Sequence, residues 1–403
     1  MPLVLILRWV FSLLSLAVLG AAGYFLWRWY DGTVLIDADG VIHRIREDWP
    51  LWVGVGALAW SFLGGLLLRP LLARRDVRLL KPARMPEART LESPTGSSLY
   101  VETDGLAGAP TIILTHGWGL DSTIWGYAVE DLRARFRIIA WDLPGLGRSK
   151  GKIALETFAA DLRSVIAETS GKVVLVGHSI GGMTIQTLAR DDPQFVERRV
   201  AGIVLLNTTH TNPLRTMIFS PLWRLLRWPL IEPLMWLVIP LQPLAWLAAW
   251  QSYLSGSAHL ANRIGFGRHV TRSQLNAVTL LTTRNSPAAQ ARGNLAMFRW
   301  DATGALSNVS VPVLVVGGAL DIVTKPEASR VIAQSSAAAR TMIVDDVNHM
   351  GFLERCDTYN GAIGRFAAEV LDKTEQYDAS APAAAASPEG TPQSDQDLTR
   401  SSV

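Results

Sequence analysis

The sequence predicts an α/β fold, an open and mostly parallel sheet with helices on both faces, and three observations carry that expectation. Short β-rich apolar runs recur at residues 111–115, 137–142, 173–176, 201–206, 313–316 and 341–344. Stretches of helical character separate them; residues 155–169, for example, place Phe158, Leu162 and Ile166 on one face. Several runs end in glycine-bearing or polar turns, as at His116-Gly117-Trp118-Gly119, Gly177-His178-Ser179 and Gly317-Gly318. Strands alternating with helices in this way argue for parallel pairing rather than hairpins. With 403 residues the chain can hold one large domain and additional segments.

The elements follow in chain order. Residues 10–27 and 51–68 are two uncharged stretches of 18 residues each. At helical rise each is about 27 Å long, close to the hydrocarbon thickness of a bilayer. Trp9, Trp27, Trp29, Trp49 and Trp52 sit at their ends, where an aromatic belt belongs. The first stretch alone could serve as a signal peptide or signal anchor. A second stretch directly after it predicts a retained transmembrane hairpin within residues 1–75, against the alternative of a buried core helix. Arg69, Arg74, Arg75, Arg78, Lys81, Arg84 and Arg89 follow the second stretch, opposed by Asp76 and Glu87. Basic residues favour the cytoplasmic side, so both ends of the chain and the main domain are expected there. Residues 76–94 read as a basic linker lying against anionic headgroups or simply setting topology.

The domain proper is expected over residues 95–373, starting with a strand at residues 98–102 and closing with a helix at 356–371. Residues 210–301 form a long insertion between the runs at 201–206 and 313–316. It carries Trp223, Trp228, Trp236, Trp246 and Trp250, and residues 233–262 contain no Asp, Glu, Lys or Arg. A third span at residues 234–250 would put the segments before and after it on opposite sides of a membrane, and Pro240 and Pro243 interrupt it. Short amphipathic helices that dip into a membrane face or line an apolar pocket are one reading; an ordinary apolar cap is the other. Residues 374–403, rich in Ala, Pro, Ser, Gln and Asp, read as a disordered tail.

Composition narrows the function. The chain is 49% apolar and 18% charged, and its net charge of +3 is too small a surplus to predict a nucleic-acid partner. One cysteine, Cys356, allows no intramolecular disulfide. No metal-ligand spacing and no phosphate-binding glycine loop appears, so neither metal nor cofactor is expected.

Chemistry concentrates at Gly177-His178-Ser179-Ile180-Gly181, a G-x-S-x-G pattern between an apolar strand and a helical stretch. A serine hydroxyl is a weak nucleophile and needs a base. His349 follows the run at residues 341–344, and Asp321 follows the run at 313–316. In a parallel sheet those loops share one edge with the serine turn. Ser179 as nucleophile, His349 as acid and base, and Asp321 as the group orienting the imidazole then form a Ser, Asp, His order. Each has a plainer reading: Asp321 as a turn residue, His349 as a polar surface residue, the glycines as an ordinary turn.

These residues, with Asp142-Leu143-Pro144-Gly145-Leu146-Gly147-Arg148-Ser149, resemble the α/β-hydrolase superfamily, and more closely its esterase, lipase and acyl-hydrolase branches. The resemblance covers about 280 residues and implies the α/β-hydrolase fold with a helical cap. It also implies an oxyanion hole from the backbone N–H groups of Trp118 and Ile180. One departure is Pro144, where the family pattern commonly has arginine. Some relatives carry the acid after the sixth strand, but here that place holds Asn207-Thr208-Thr209. The expected activity is hydrolysis of an apolar acyl ester, such as a monoacylglycerol or lysophospholipid, through an acyl-enzyme. Thioesterase, amidase or cofactor-free haloperoxidase chemistry, or a non-catalytic membrane-tethered binding protein, are the alternatives.

Overall fold

The computed structural model describes residues 2–380. Helix α1 (Pro2–Asp31) leads into a short antiparallel hairpin, β1 (Thr33–Ile36) and β2 (Ile42–Ile45), and then helix α2 (Trp49–Leu72). Within these, Ile6–Asp31 and Trp49–Leu72 are each long and apolar enough to cross a membrane. Only 17% and 22% of their apolar windows are buried, unlike helices of a protein core. All eight strand positions of the hairpin between them are exposed.

The main sheet has eight strands: β3 (Glu87–Glu92), β4 (Ser98–Gly105), β5 (Thr111–Thr115), β6 (Arg137–Trp141), β7 (Val173–His178), β8 (Val200–Leu206), β9 (Val313–Gly318) and β10 (Ala339–Val344). Their order is β10-β9-β8-β7-β5-β6-β4-β3. Every pairing from β10 to β6 is parallel, and β4 joins β6 and β3 antiparallel. Strands β5, β7 and β8 are buried along their whole length, because both faces of the sheet are covered. Side chains alternate between the two layers: Ile112, Leu114, Val174 and Val176 point into one core, Ile113, Val173 and Leu175 into the other.

β3 corrects the expected linker over residues 76–94. It is an edge strand with five of six positions exposed, so no apolar run announces it, and its charged residues suit an unpaired edge. Arg78, Arg84 and Arg89 in that segment are not free for headgroups. Arg78 pairs with Glu130 and Asp131, Arg89 with Glu168, and Arg84 with three carboxylates described below. The last helix runs from Cys356 to Ser380, past the expected domain end at residue 373. The tail expected at residues 374–403 lies, from residue 381 on, outside the described residues.

The insertion between β8 and β9 is helical, and an isolated antiparallel bridge between Thr211 and Asp301 forms its neck. Residues 220–238 and 242–255 are two helical segments meeting at 96°, so the tryptophan-rich stretch is not one straight span. The second apolar helix packs on this cap. A Cβ on Gly64 would lie 2.5 Å from the carbonyl oxygen of Ser255, and Gln251 donates to the carbonyl of Ser61 at 2.9 Å. From α1, the Ser15 hydroxyl meets Ser255 at 2.9 Å and Ser257 at 2.6 Å.

Candidate active site

The sheet order reverses across β5 and β7: the chain leaves β5 toward β6 and leaves β7 toward β8. Such a switch point opens a crevice at the strands' carboxyl ends. The loops after β5, β7, β9 and β10 reach it with Trp118, Ser179, Asp321 and His349 respectively.

Ser179 sits between β7 and the helix Ile180–Asp191 with φ 53° and ψ −116°, a backbone geometry that costs free energy in an L-residue. Its surroundings over-determine it. Ser179 N donates to the Leu206 carbonyl at 3.0 Å, and the Thr208 hydroxyl donates to the Ser179 carbonyl at 2.6 Å. The flanking glycines are steric requirements. A Cβ on Gly181 would lie 2.2 Å from the Thr115 carbonyl oxygen, and one on Gly177 2.5 Å from the Gly181 carbonyl carbon.

His349 stands between the other two groups, its Nε2 3.1 Å from Ser179 Oγ and its Nδ1 3.0 Å from Asp321 Oδ2. All three residues are buried. Burial by itself raises the Asp321 carboxyl. The charge of His349 and hydrogen bonds from His349, Thr324 and Asn207 outweigh it and hold the group below its ordinary value. An ionised carboxylate only accepts, so His349 Nδ1 carries the proton and Nε2 of the neutral ring is left to accept from the serine hydroxyl. Asp321 is fully engaged otherwise: Oδ1 accepts from Val323 N and Thr324 N, both at 2.8 Å, and Oδ2 from the Thr324 hydroxyl at 2.8 Å and Asn207 Nδ2 at 3.1 Å.

Ile180 opens the helix after the serine, where first-turn N–H groups lack intrahelical partners. Trp118 lies in the loop after β5. Its indole donates to the Gln290 carbonyl at 3.0 Å and lies over Gly293 of the cap. The crevice is a cavity of about 90 Å³ whose lining includes Trp118, Ser179, Val323 and His349. The arrangement can deprotonate a serine hydroxyl, protonate a leaving group, and hold a developing oxyanion near a helix N-terminus.

The model for the alpha/beta hydrolase family matches residues 112–362, more than half of the chain. The chain belongs to the alpha/beta hydrolase family. A pimeloyl-[acyl-carrier protein] methyl ester esterase from Nitrosospira multiformis is 26% identical over 278 residues, 67% of this chain and 98% of that protein. Among solved structures, an esterase from Exiguobacterium antarcticum aligns with TM-score 0.57 and 18% identity over 70% of this chain and 99% of its own. A thermophilic esterase from Thermogutta terrifontis aligns with TM-score 0.52 and 22% identity over 70% and 99%. The structural likenesses show the fold, and the sequence relative is an esterase-type hydrolase. The family match begins after both apolar helices.

Several residues of this alpha/beta hydrolase site carried no signal in sequence. Asn207, set aside for lacking a carboxylate, has φ 44° and bridges Asp321 to the Asn348 carbonyl, while the Tyr359 hydroxyl donates to its Oδ1 at 3.0 Å. His178, the variable letter before the serine, donates from Nε2 to the His349 carbonyl at 3.1 Å. Burial and then the neighbouring His349 push His178 down to about 3, so it stays neutral. Pro144 leaves Asp142 without the family's usual nearby arginine, and Arg84 comes in from before β3. Arg84 lies 2.7 Å from Glu102 and 3.1 Å from each of Asp121 and Asp142, and Asp142 in turn accepts from Ser122 N and Arg148 N. Among the described residues, only Arg8 comes from α1 into the lining of the crevice.

Proposed function

We propose that this chain is a membrane-anchored serine hydrolase that cleaves an apolar acyl ester. The observation that carries the reading is the unbroken hydrogen-bonded line from Ser179 Oγ through His349 to Asp321. Ser179 Oγ attacks the ester carbonyl carbon while His349 Nε2 takes its proton. Asp321 balances the imidazolium, and the N–H groups of Trp118 and Ile180 hold the oxyanion. The carbon–oxygen bond to the alcohol breaks as His349 returns the proton to the leaving alkoxide. Water, giving a proton to His349, then attacks the acyl-enzyme; the acid departs and Ser179 regains its proton.

The esterase relatives support ester chemistry, and the surface supports an apolar substrate. The cap exposes Leu225, Trp228 and Trp236 at 72%, 65% and 56%, more apolar area in one place than a water-facing cap needs. With the two apolar helices packed on the same cap, this favours seating of the cap in the headgroup region, with the hydrolase domain on the cytoplasmic side. Labelling by a serine-directed fluorophosphonate tests the reading: the wild type labels and hydrolyses esters, and Ser179→Ala does neither while keeping its thermal transition. Ester turnover that survives Ser179→Ala overturns it. A reporter fused at residue 403 should read cytoplasmic.

A further inference from the structure

A second cavity, of about 230 Å³, lies between α1 and the cap helices Glu232–Val238 and Gln242–Ser255. Its walls are apolar: Leu13 and Leu16 from α1, Leu234, Leu241, Ala245 and Ala249 from the cap. The alanines keep the space open where larger side chains would close it. Arg8, Thr282 and Gln290 line both this cavity and the catalytic crevice, so that hydrogen-bonded group is the wall the two spaces share. Arg8 Nη2 donates to the Thr282 carbonyl at 2.9 Å and Nη1 to Gln290 Oε1 at 3.4 Å. The carbonyl of Gln290 holds the Trp118 indole at 3.0 Å, tying the junction to the loop beside Ser179. Part of this wall reaches the surface: Leu13 is 65% exposed and Leu244 55%.

Resting on the ester-hydrolase reading, we propose that this cavity is a lateral channel through which the long acyl chain of a bilayer-dissolved ester reaches Ser179, passing between the first apolar helix and the cap. An apolar slot closed by a polar junction fits such a substrate, with the chain among leucines and alanines and the ester carbonyl carried past Arg8 to the crevice. A water-borne ester would have no use for a slot that opens against a membrane helix.

The experiment uses the full chain in phosphatidylcholine vesicles and two fluorophosphonates, one ethyl and one hexadecyl. Ala245→Trp fills the slot from the cap and Leu16→Trp fills it from α1. Each should slow hexadecyl labelling by about 10-fold or more while ethyl labelling keeps the wild-type rate, which also reports an intact fold. Equal hexadecyl and ethyl rates, relative to wild type, in either variant that keeps ethyl labelling overturn the channel. Occupancy is read separately in Ser179→Ala with a hexadecyl ester bearing a terminal diazirine. Crosslinks to residues 9–16 and 234–249 support the channel even if Ser179 proves not to be the nucleophile, and crosslinks confined to other segments overturn it.

Discussion

Asn207 donates from Nδ2 to Asp321 Oδ2 at 3.1 Å, on the same oxygen that faces His349 Nδ1 at 3.0 Å. The amide thus holds the carboxylate in line for the imidazole from a position that carries no charge of its own. Asn207→Ala removes that donor and strands the Tyr359 hydroxyl. A hydrogen bond to a buried charge is worth about 2 kcal/mol, so kcat should fall by up to about 30-fold and stability by about 2 kcal/mol. Esterase kinetics and thermal unfolding of the one variant measure both.

Asp321→Asn tests the tautomer. An asparagine amide can donate to His349 Nδ1, which would leave the ring proton on Nε2 and nothing to accept from Ser179. A loss of about 10⁴-fold in kcat is expected. Stability responds with a definite sign. The folded Asp321 carboxyl lies below its ordinary value, so its contribution is present above that ordinary value and is lost as pH falls through the depressed one. The stability margin of wild type over Asp321→Asn should therefore shrink under acid, as denaturant midpoints across the acid range would record.

The serine turn should be intolerant of a methyl group. In Gly181→Ala the new Cβ would meet the Thr115 carbonyl, backbone that cannot step aside. A loss of about 3 kcal/mol and of most activity is expected. Gly96 has a positive φ of 81°, which Gly181 lacks, but open space around it, so Gly96→Ala should cost about 1 kcal/mol and leave activity intact. Comparable losses in the two variants, measured by calorimetry, would contradict the contact account.

Arg84→Met leaves Glu102 and Asp142, both buried, without their cation. Breaking a buried pair from one side costs about 3 kcal/mol. The loss should depend on pH. Burial, despite Arg84, already raises the Glu102 carboxyl above its ordinary value. Its ionisation therefore costs stability as pH rises through the raised value, and removing Arg84 enlarges that cost. The Tm deficit of the variant should be larger at pH 8 than at pH 5; a constant deficit would contradict the electrostatic account.

Seven of the eight strands of the main sheet, the serine turn, and the placement of Asp321 and His349 after β9 and β10 were readable in one dimension. Each rests on a local pattern: an apolar run of strand length, glycines spaced around a serine, a polar residue just beyond a run. The two apolar helices were readable for the same reason, since length and the absence of charge are local properties. Tertiary structure decided everything that depends on partners distant in sequence. β3 has no apolar run and exists because β4 offers it an edge to pair with. Arg84 looked like one more charge in a basic stretch and became the counter-ion of three carboxylates. Asn207 and Thr208 looked like loop residues until the convergence of β8, β9 and the last loops set them against Asp321 and Ser179. Arg8, 171 positions before the serine, reaches the crevice only because α1 packs on the cap. Sequence patterns record which residues repeat along one element, and so they determine the sheet and the loops of the candidate site. Which side chains share a dielectric environment is set by folding in three dimensions, and that alone joins a long apolar helix to the crevice at Ser179.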